Sequence, residues 1–151
     1  MMNRRKFITL LGGAAAAWPM AAGAQSARRQ LIAMLMGSTP VNSIPLLGSF
    51  AQQMQALGYL EGRDYDTAVR YGEGDLTRMP TLASELLALK PDVIVTANTT
   101  AATAVKKATS TIPIVSAAMI EPVEKGLVVS HARPGGNLTG ILISLDTLLG
   151  K

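Results

Sequence analysis

Leu31-Ile32-Ala33-Met34-Leu35-Met36, closed by Gly37-Ser38-Thr39-Pro40, is the stretch that decides the fold. Six apolar residues with no polar face describe a strand buried on both sides, the usual condition of a parallel sheet covered by helices. Beyond Pro40 the period changes. Leu46, Leu47, Phe50, Met54 and Leu57 recur at spacings of three and four, and Gly58 stands where a helix closes in a left-handed cap. A buried strand followed by an amphipathic helix is the first half of a βαβ unit.

The same alternation continues along the chain. Tyr65 to Tyr71 reads as a second strand after the turn Glu61-Gly62-Arg63-Asp64, and its charges place it near a sheet edge. Asp75 is suited to cap a helix carrying Leu76, Met79, Leu82, Leu86 and Leu87, which Lys90-Pro91 stops. Asp92 to Thr96 is the third strand, and Thr99 or Thr100 can cap the alanine-rich helix that runs through Ala108. Ile112 to Val115 gives a fourth strand, in which Pro113 needs a bulge or an unpaired position. Pro122 suits the first turn of a short fourth helix ending near His131, and Arg133-Pro134-Gly135-Gly136-Asn137 turns into a fifth strand, Leu138 to Ile143. The fold class expected is α/β, an open, mostly parallel sheet of about five strands with helices on both faces.

Ahead of this region stands a stretch of different character. Arg4-Arg5-Lys6-Phe7-Ile8, an apolar middle reaching Trp18, and Ala22-Gly23-Ala24 are the basic start, apolar core and small-residue exit of a cleavable signal, with paired arginines of the twin-arginine kind. A membrane span needs about 20 consecutive apolar residues, and this stretch is shorter and broken by Pro19. The expected organisation is a signal peptide over residues 1–24, cleaved near Ala24, a lobe over 25–143, and a segment 144–151 that begins a crossover helix. Removing Arg4, Arg5 and Lys6 lowers the formal charge from +4 to +1. The remaining basic residues are too few and scattered to neutralise a run of phosphates, so nucleic acid is not an expected partner. Without cysteine the chain has no disulfide, no thiolate chemistry and no acceptor for a lipid anchor.

In an open parallel sheet, ligands collect at the carboxyl ends of the strands beside helix N-termini. Gly37-Ser38-Thr39 follows the first strand, Asn98-Thr99-Thr100 the third, and Ala118-Met119-Ile120-Glu121 the fourth. These small hydroxyl and amide residues can hydrogen-bond a small molecule or simply cap helices, and their types do not separate the two. Enzyme signals are poor. Neither a phosphate-binding P-loop nor a nucleophile elbow is present, His131 fits a helix end, and Glu121 with Glu124 fit a helix's first turn. No cofactor, metal or catalytic residue is expected.

Several stretches together resemble the exported substrate-binding proteins of ABC transporters, in the subgroup related to tryptophan and tyrosine binders. They are the signal from Arg4 to Pro19, Ala56-Leu57-Gly58-Tyr59-Leu60-Glu61-Gly62-Arg63, Lys90-Pro91-Asp92-Val93-Ile94, Thr111-Ile112-Pro113-Ile114-Val115, and Ala132-Arg133-Pro134-Gly135-Gly136-Asn137-Leu138-Thr139-Gly140. The resemblance implies a periplasmic, non-enzymatic protein of two α/β lobes that close on a small ligand and deliver it to an ABC permease in the membrane. The present chain corresponds to the first lobe. It also implies ligand-binding roles for Ser38, Thr39, Asn98, Thr99, Thr100 and Glu121, the last in a Glu-Pro-Val segment where relatives carry Asp-Pro-Val. The ligand expected is an amino acid or related carboxylate. Two other readings stay open: an exported one-lobe sensory or interaction domain without a transport role, and an exported flavodoxin-like enzyme, which would require a flavin or phosphate site.

Overall fold

The computed structural model describes residues 28–143, so the signal assigned to residues 1–24 and the crossover segment 144–151 lie outside the described residues. Five strands, β1 (Gln30–Met36), β2 (Tyr65–Tyr71), β3 (Val93–Thr96), β4 (Ile114–Met119) and β5 (Leu138–Leu142), form one sheet in the order β2-β1-β3-β4-β5. Every neighbouring pair is parallel. Three helices connect them: α1 (Pro40–Ala56), α2 (Met79–Ala88), preceded by a 3-10 turn over Leu76–Arg78, and α3 (Thr99–Ala108).

The apolar run in β1 divides between two cores because successive side chains of a strand point to opposite faces. Ile32, Met34 and Met36 pack with Tyr65 beneath Leu47, Phe50 and Met54 of α1. Ala33 and Leu35 pack on the other side with Leu82 and Leu86 of α2, Ala101 and Val105 of α3, and Leu138 of β5. Helices therefore cover both faces, as the uninterrupted run in β1 requires. Each fully buried side chain of this size contributes about 1.5–3 kcal/mol. With β2 at one border of the sheet, its charged residues occupy an edge as expected.

Helix α1 ends in the motif that Gly58 suggests. The Gly58 N–H donates to the Gln55 carbonyl and the Tyr59 N–H to the Met54 carbonyl, while Gly58 takes φ 89°. This pair of reversed bonds satisfies carbonyls left over by the helix and needs a left-handed residue. The apolar stripe is narrower than its spacing implies. Leu46 and the C-cap residue Leu57 stay exposed, and only Leu47, Phe50 and Met54 of the stripe pack on the sheet.

Three elements differ from the sequence reading. Asn98, and neither Thr99 nor Thr100, caps α3, its side chain accepting from the Ala101 N–H at 2.9 Å. Strand β4 begins after Pro113, which has no N–H to give, and runs on through Ser116-Ala117-Ala118 to Met119. Small residues are weak strand formers, but here the pairing with β5 imposes the conformation: a Cβ on Gly140 would overlap the backbone of Ser116. The short helix expected from Pro122 to His131 does not form. Glu121 takes φ 50°, turns follow, and Pro122, Leu127 and Val128 are held by burial in the core rather than by a helical ladder. His131 accordingly lies exposed in a bend and ends no helix.

Candidate functional site

The strand order reverses between β1 and β3. Helix α1 leaves β1 over one face, whereas α2 and α3 lie over the other, so the chain departs in opposite directions from two neighbouring strands. Such a switch point opens a crevice at the carboxyl ends of the strands. Ser38 and Thr39 stand on one side of it, Asn98, Thr99 and Thr100 on the other. The two sides touch at Gly37, where a Cβ would overlap Nδ2 of Asn98.

Local hydrogen bonds fix most of these side chains. On the β1 side, Ser43 donates through Oγ to the Thr39 carbonyl at 2.9 Å, so the 2.8 Å contact between Ser38 and Ser43 uses the Ser38 proton. Ser38 keeps free lone pairs and no free donor. Thr39 Oγ1 accepts from the Asn42 N–H at 3.3 Å and caps α1. On the β3 side, Asn98 Oδ1 is spent on the cap, which leaves its Nδ2 beside Gly37. Thr99 Oγ1 accepts from the Ile120 N–H at 2.9 Å and so clamps the loop after β4 to the start of α3. Thr100 is exposed beside it.

Glu121 follows that clamp directly. Its carboxylate meets Lys125 at 2.8 Å, and the hydrogen bond and charge of that lysine hold its pKa below the ordinary glutamate value. All six residues singled out from the sequence therefore lie at one end of the sheet. Five of them, Ser38, Thr39, Asn98, Thr99 and Glu121, also carry side-chain hydrogen bonds within the fold, and only Thr100 has none among the described residues. A groove of about 370 Å³ runs from Thr99 and Thr100 along the outside of α3, with Leu76, Met79 and Pro80 as an apolar wall and Lys107 and Lys125 at its rim.

Three residues of this region escape a reading by sequence pattern. Gly37 allows the contact with Asn98, Ser43 orients Ser38 from within α1, and Thr96, fully buried at the end of β3, has no partner for its hydroxyl among the described residues. Only the Gly-Ser-Thr run carries a signal, and that signal reads equally as the end of a strand. Among the described residues no group of His, Cys, Asp or Glu could hold a metal ion.

The family model described as ABC transporter substrate binding protein matches residues 46–148. The chain belongs to that family. These substrate-binding proteins are classed by ligand capture rather than catalysis. Over 102 residues the chain is 33% identical to a tyrosine-binding protein of Clostridioides difficile, an alignment covering 66% of this chain and 30% of that protein. Three of the solved structures that share the fold illustrate the likeness. One, from Streptococcus pneumoniae in complex with L-Trp, is 28% identical with a TM-score of 0.66 and covers 76% of this chain and 38% of that one. A ligand-free, open substrate-binding protein with adhesive properties from Clostridium difficile is 26% identical, with a TM-score of 0.69 over 78% of this chain and 40% of its own. A conserved domain protein from Vibrio cholerae is 27% identical, with a TM-score of 0.72 over 81% and 42%. This substrate-binding protein chain thus spans well under half the length of each of these relatives.

Proposed function

We propose that this chain supplies one wall of a binding site for an amino acid with a large apolar side chain, in an exported solute-binding protein that serves an ABC importer. The carrying observation is the convergence of α1 and α3 at the β1–β3 switch point, both with neutral caps and neither with an acid in its first turn. Their unpaired N–H groups and dipoles make the crevice attractive to a carboxylate without any cationic side chain. Thr99 and Thr100 offer the first N–H groups of α3, Asn98 its Nδ2, and Ser38 lone pairs for a ligand ammonium. Relatives described by their complex with L-Trp and by tyrosine binding support the aromatic amino-acid class. Closure of a second wall over the ligand, presentation to a permease, and export with cleavage near Ala24 complete the reading.

The test is an NMR titration of residues 25–151 with L-tryptophan and L-tyrosine, set against tryptamine and tyramine, which lack the carboxylate. The amide signals of Ser38, Thr39, Thr99 and Thr100 should move with the amino acids and stay still with the amines. Equal shifts with the amines, or none with the amino acids, would remove the assignment.

A further inference from the structure

Strand β1 gives way to the crevice in an irregular manner. In a regular strand successive carbonyls point to opposite sides, so Met36 should face β2 and Gly37 should face β3. Instead three consecutive carbonyls face one turn. The Gly72 N–H donates to the Met36 carbonyl at 2.8 Å, the Gly74 N–H to the Gly37 carbonyl at 3.0 Å, and the Glu73 N–H to the Ser38 carbonyl at 3.3 Å. The turn Gly72-Glu73-Gly74, which follows β2, thus takes up every carbonyl at the end of β1.

A trans peptide unit is planar, so the N–H that follows a carbonyl points the opposite way. No cis peptide bond interrupts the described residues. With the Met36, Gly37 and Ser38 carbonyls held by the turn, the N–H groups of Gly37, Ser38 and Thr39 point away from it, toward the side of β1 on which β3 lies. None of the three donates to a partner among the described residues, although Gly37 is buried and Ser38 and Thr39 are half-buried. Buried N–H groups are almost always satisfied, and successive ones aimed alike make a concavity that holds an anion. The arrangement requires Glu73 to be left-handed, at φ 57°, beside Gly74 at φ 86°. A residue with a Cβ resists that conformation. Its surroundings hold it there: Gly72 lies too close to Met79 and the Gly37 carbonyl to admit a Cβ, and Arg78 meets the Glu73 carboxylate at 3.1 Å. Strain kept in place by its neighbours in this way gathers at ligand sites.

We propose that Glu73 is a positioning residue for the crevice: its left-handed backbone aims the N–H groups of Gly37, Ser38 and Thr39 at the ligand carboxylate, across from the first N–H groups of α3. The role belongs to the backbone of Glu73 and not to its charge. It rests on the carboxylate site proposed for the crevice, and it supplies the device that prepares the β1 side of that site. Without the turn, the Gly37 and Ser38 carbonyls would be free to face the ligand and repel its carboxylate.

The experiment titrates the chain over residues 25–151 with sodium acetate, a bare carboxylate, and with L-tryptophan, and follows the backbone amides by NMR. In the wild type both probes should move Gly37, Ser38 and Thr39 together with Thr99 and Thr100. Glu73→Val, whose β-branched side chain does not accept the left-handed conformation, should lose the first set of shifts and keep the second, with tryptophan bound at least severalfold more weakly. Glu73→Gly and Glu73→Asn, which accept that conformation without the charge, should keep both sets. A purely structural role would not separate the two arms. Both sets surviving in Glu73→Val, or the first set lost in Glu73→Gly and Glu73→Asn, overturns the proposal. Shifts with acetate and none with tryptophan would remove the amino-acid reading and leave the positioning role standing; shifts with neither would remove both. If Glu73→Val does not fold, Gly74→Ala decides by the same comparison, since it strains the same turn and its methyl group meets open space.

Discussion

Gly140 shows how much one residue settles. Its Cα lies against the backbone of Ser116, and a methyl group there would meet backbone oxygen and nitrogen, which cannot turn aside as a side chain can. Gly140→Ala should therefore lower stability by about 1–3 kcal/mol, the usual cost of forcing volume into a packed region, read as a lower urea midpoint with an unchanged slope. Asn137 works nearby by hydrogen bonds instead of space. Its Nδ2 donates to the carbonyls of Thr109 and Ile112 at 3.2 and 2.8 Å, its Oδ1 accepts from Lys106 at 2.7 Å, and three segments are tied to the entrance of β5. From the sequence, Gly135-Gly136-Asn137 reads only as a turn. Its partners are about thirty residues away, so no local pattern could assign Asn137 this role.

At the scale of elements, α3 carries the clearest separation of structure from function. Asn98 both caps the helix and presents an amide to the proposed carboxylate site. Asn98→Asp keeps the capping oxygen and adds a negative charge that the helix N-terminus favours, so stability should be retained or slightly raised. The same charge faces the proposed ligand carboxylate, so the amide shifts induced by L-tryptophan should disappear while the melting temperature holds. Loss of both would mean that Asn98 matters only as a cap. The helix itself was legible, since alanine-rich sequence after small polar residues states both its type and its start to within a residue. Its true cap was missed because Asn98, Thr99 and Thr100 are all good caps, and the choice fell to Thr99 being needed to bind the Ile120 N–H across the sheet. The segment from Glu121 to His131 fails as a helix for a related reason. Burial of Pro122, Leu127 and Val128 fixes turns that proline at a helix-like start does not reveal.

Across the described residues, surface carboxylates held by hydrogen bonds and ion pairs give stability an acid-side pH dependence of one sign. Asp64 is held below the ordinary aspartate value first by a hydrogen bond from Arg63 and then by the Leu60 N–H, Asp75 by hydrogen bonds from the Thr77 hydroxyl and N–H, and Glu121 by Lys125. A carboxylate whose folded pKa is lowered stabilises the fold above its unfolded value, near pH 4, and that stabilisation is lost as pH falls through the lowered folded value. The urea midpoint should thus be flat above about pH 5 until the alkaline range in which Tyr65, its pKa raised first by burial, titrates, and fall on acidification below about pH 4. Asp64→Asn should make that fall shallower; an unchanged slope in the variant would show that the pair with Arg63 contributes nothing. All three groups are at the surface, so each effect is small.

The sequence by itself determined the α/β class, the parallel sheet, the order of the five strands and of the three helices between the first four of them, and the family, because burial on both faces of β1 and the period of α1 are local patterns that survive in one dimension. The tertiary structure alone decided the meeting of Gly37 with Asn98, the clamp from Thr99 to Ile120 and the extent of β4. Each of these depends on which strands become neighbours, and neighbours in a sheet are chosen by how the whole chain packs rather than by any stretch of it.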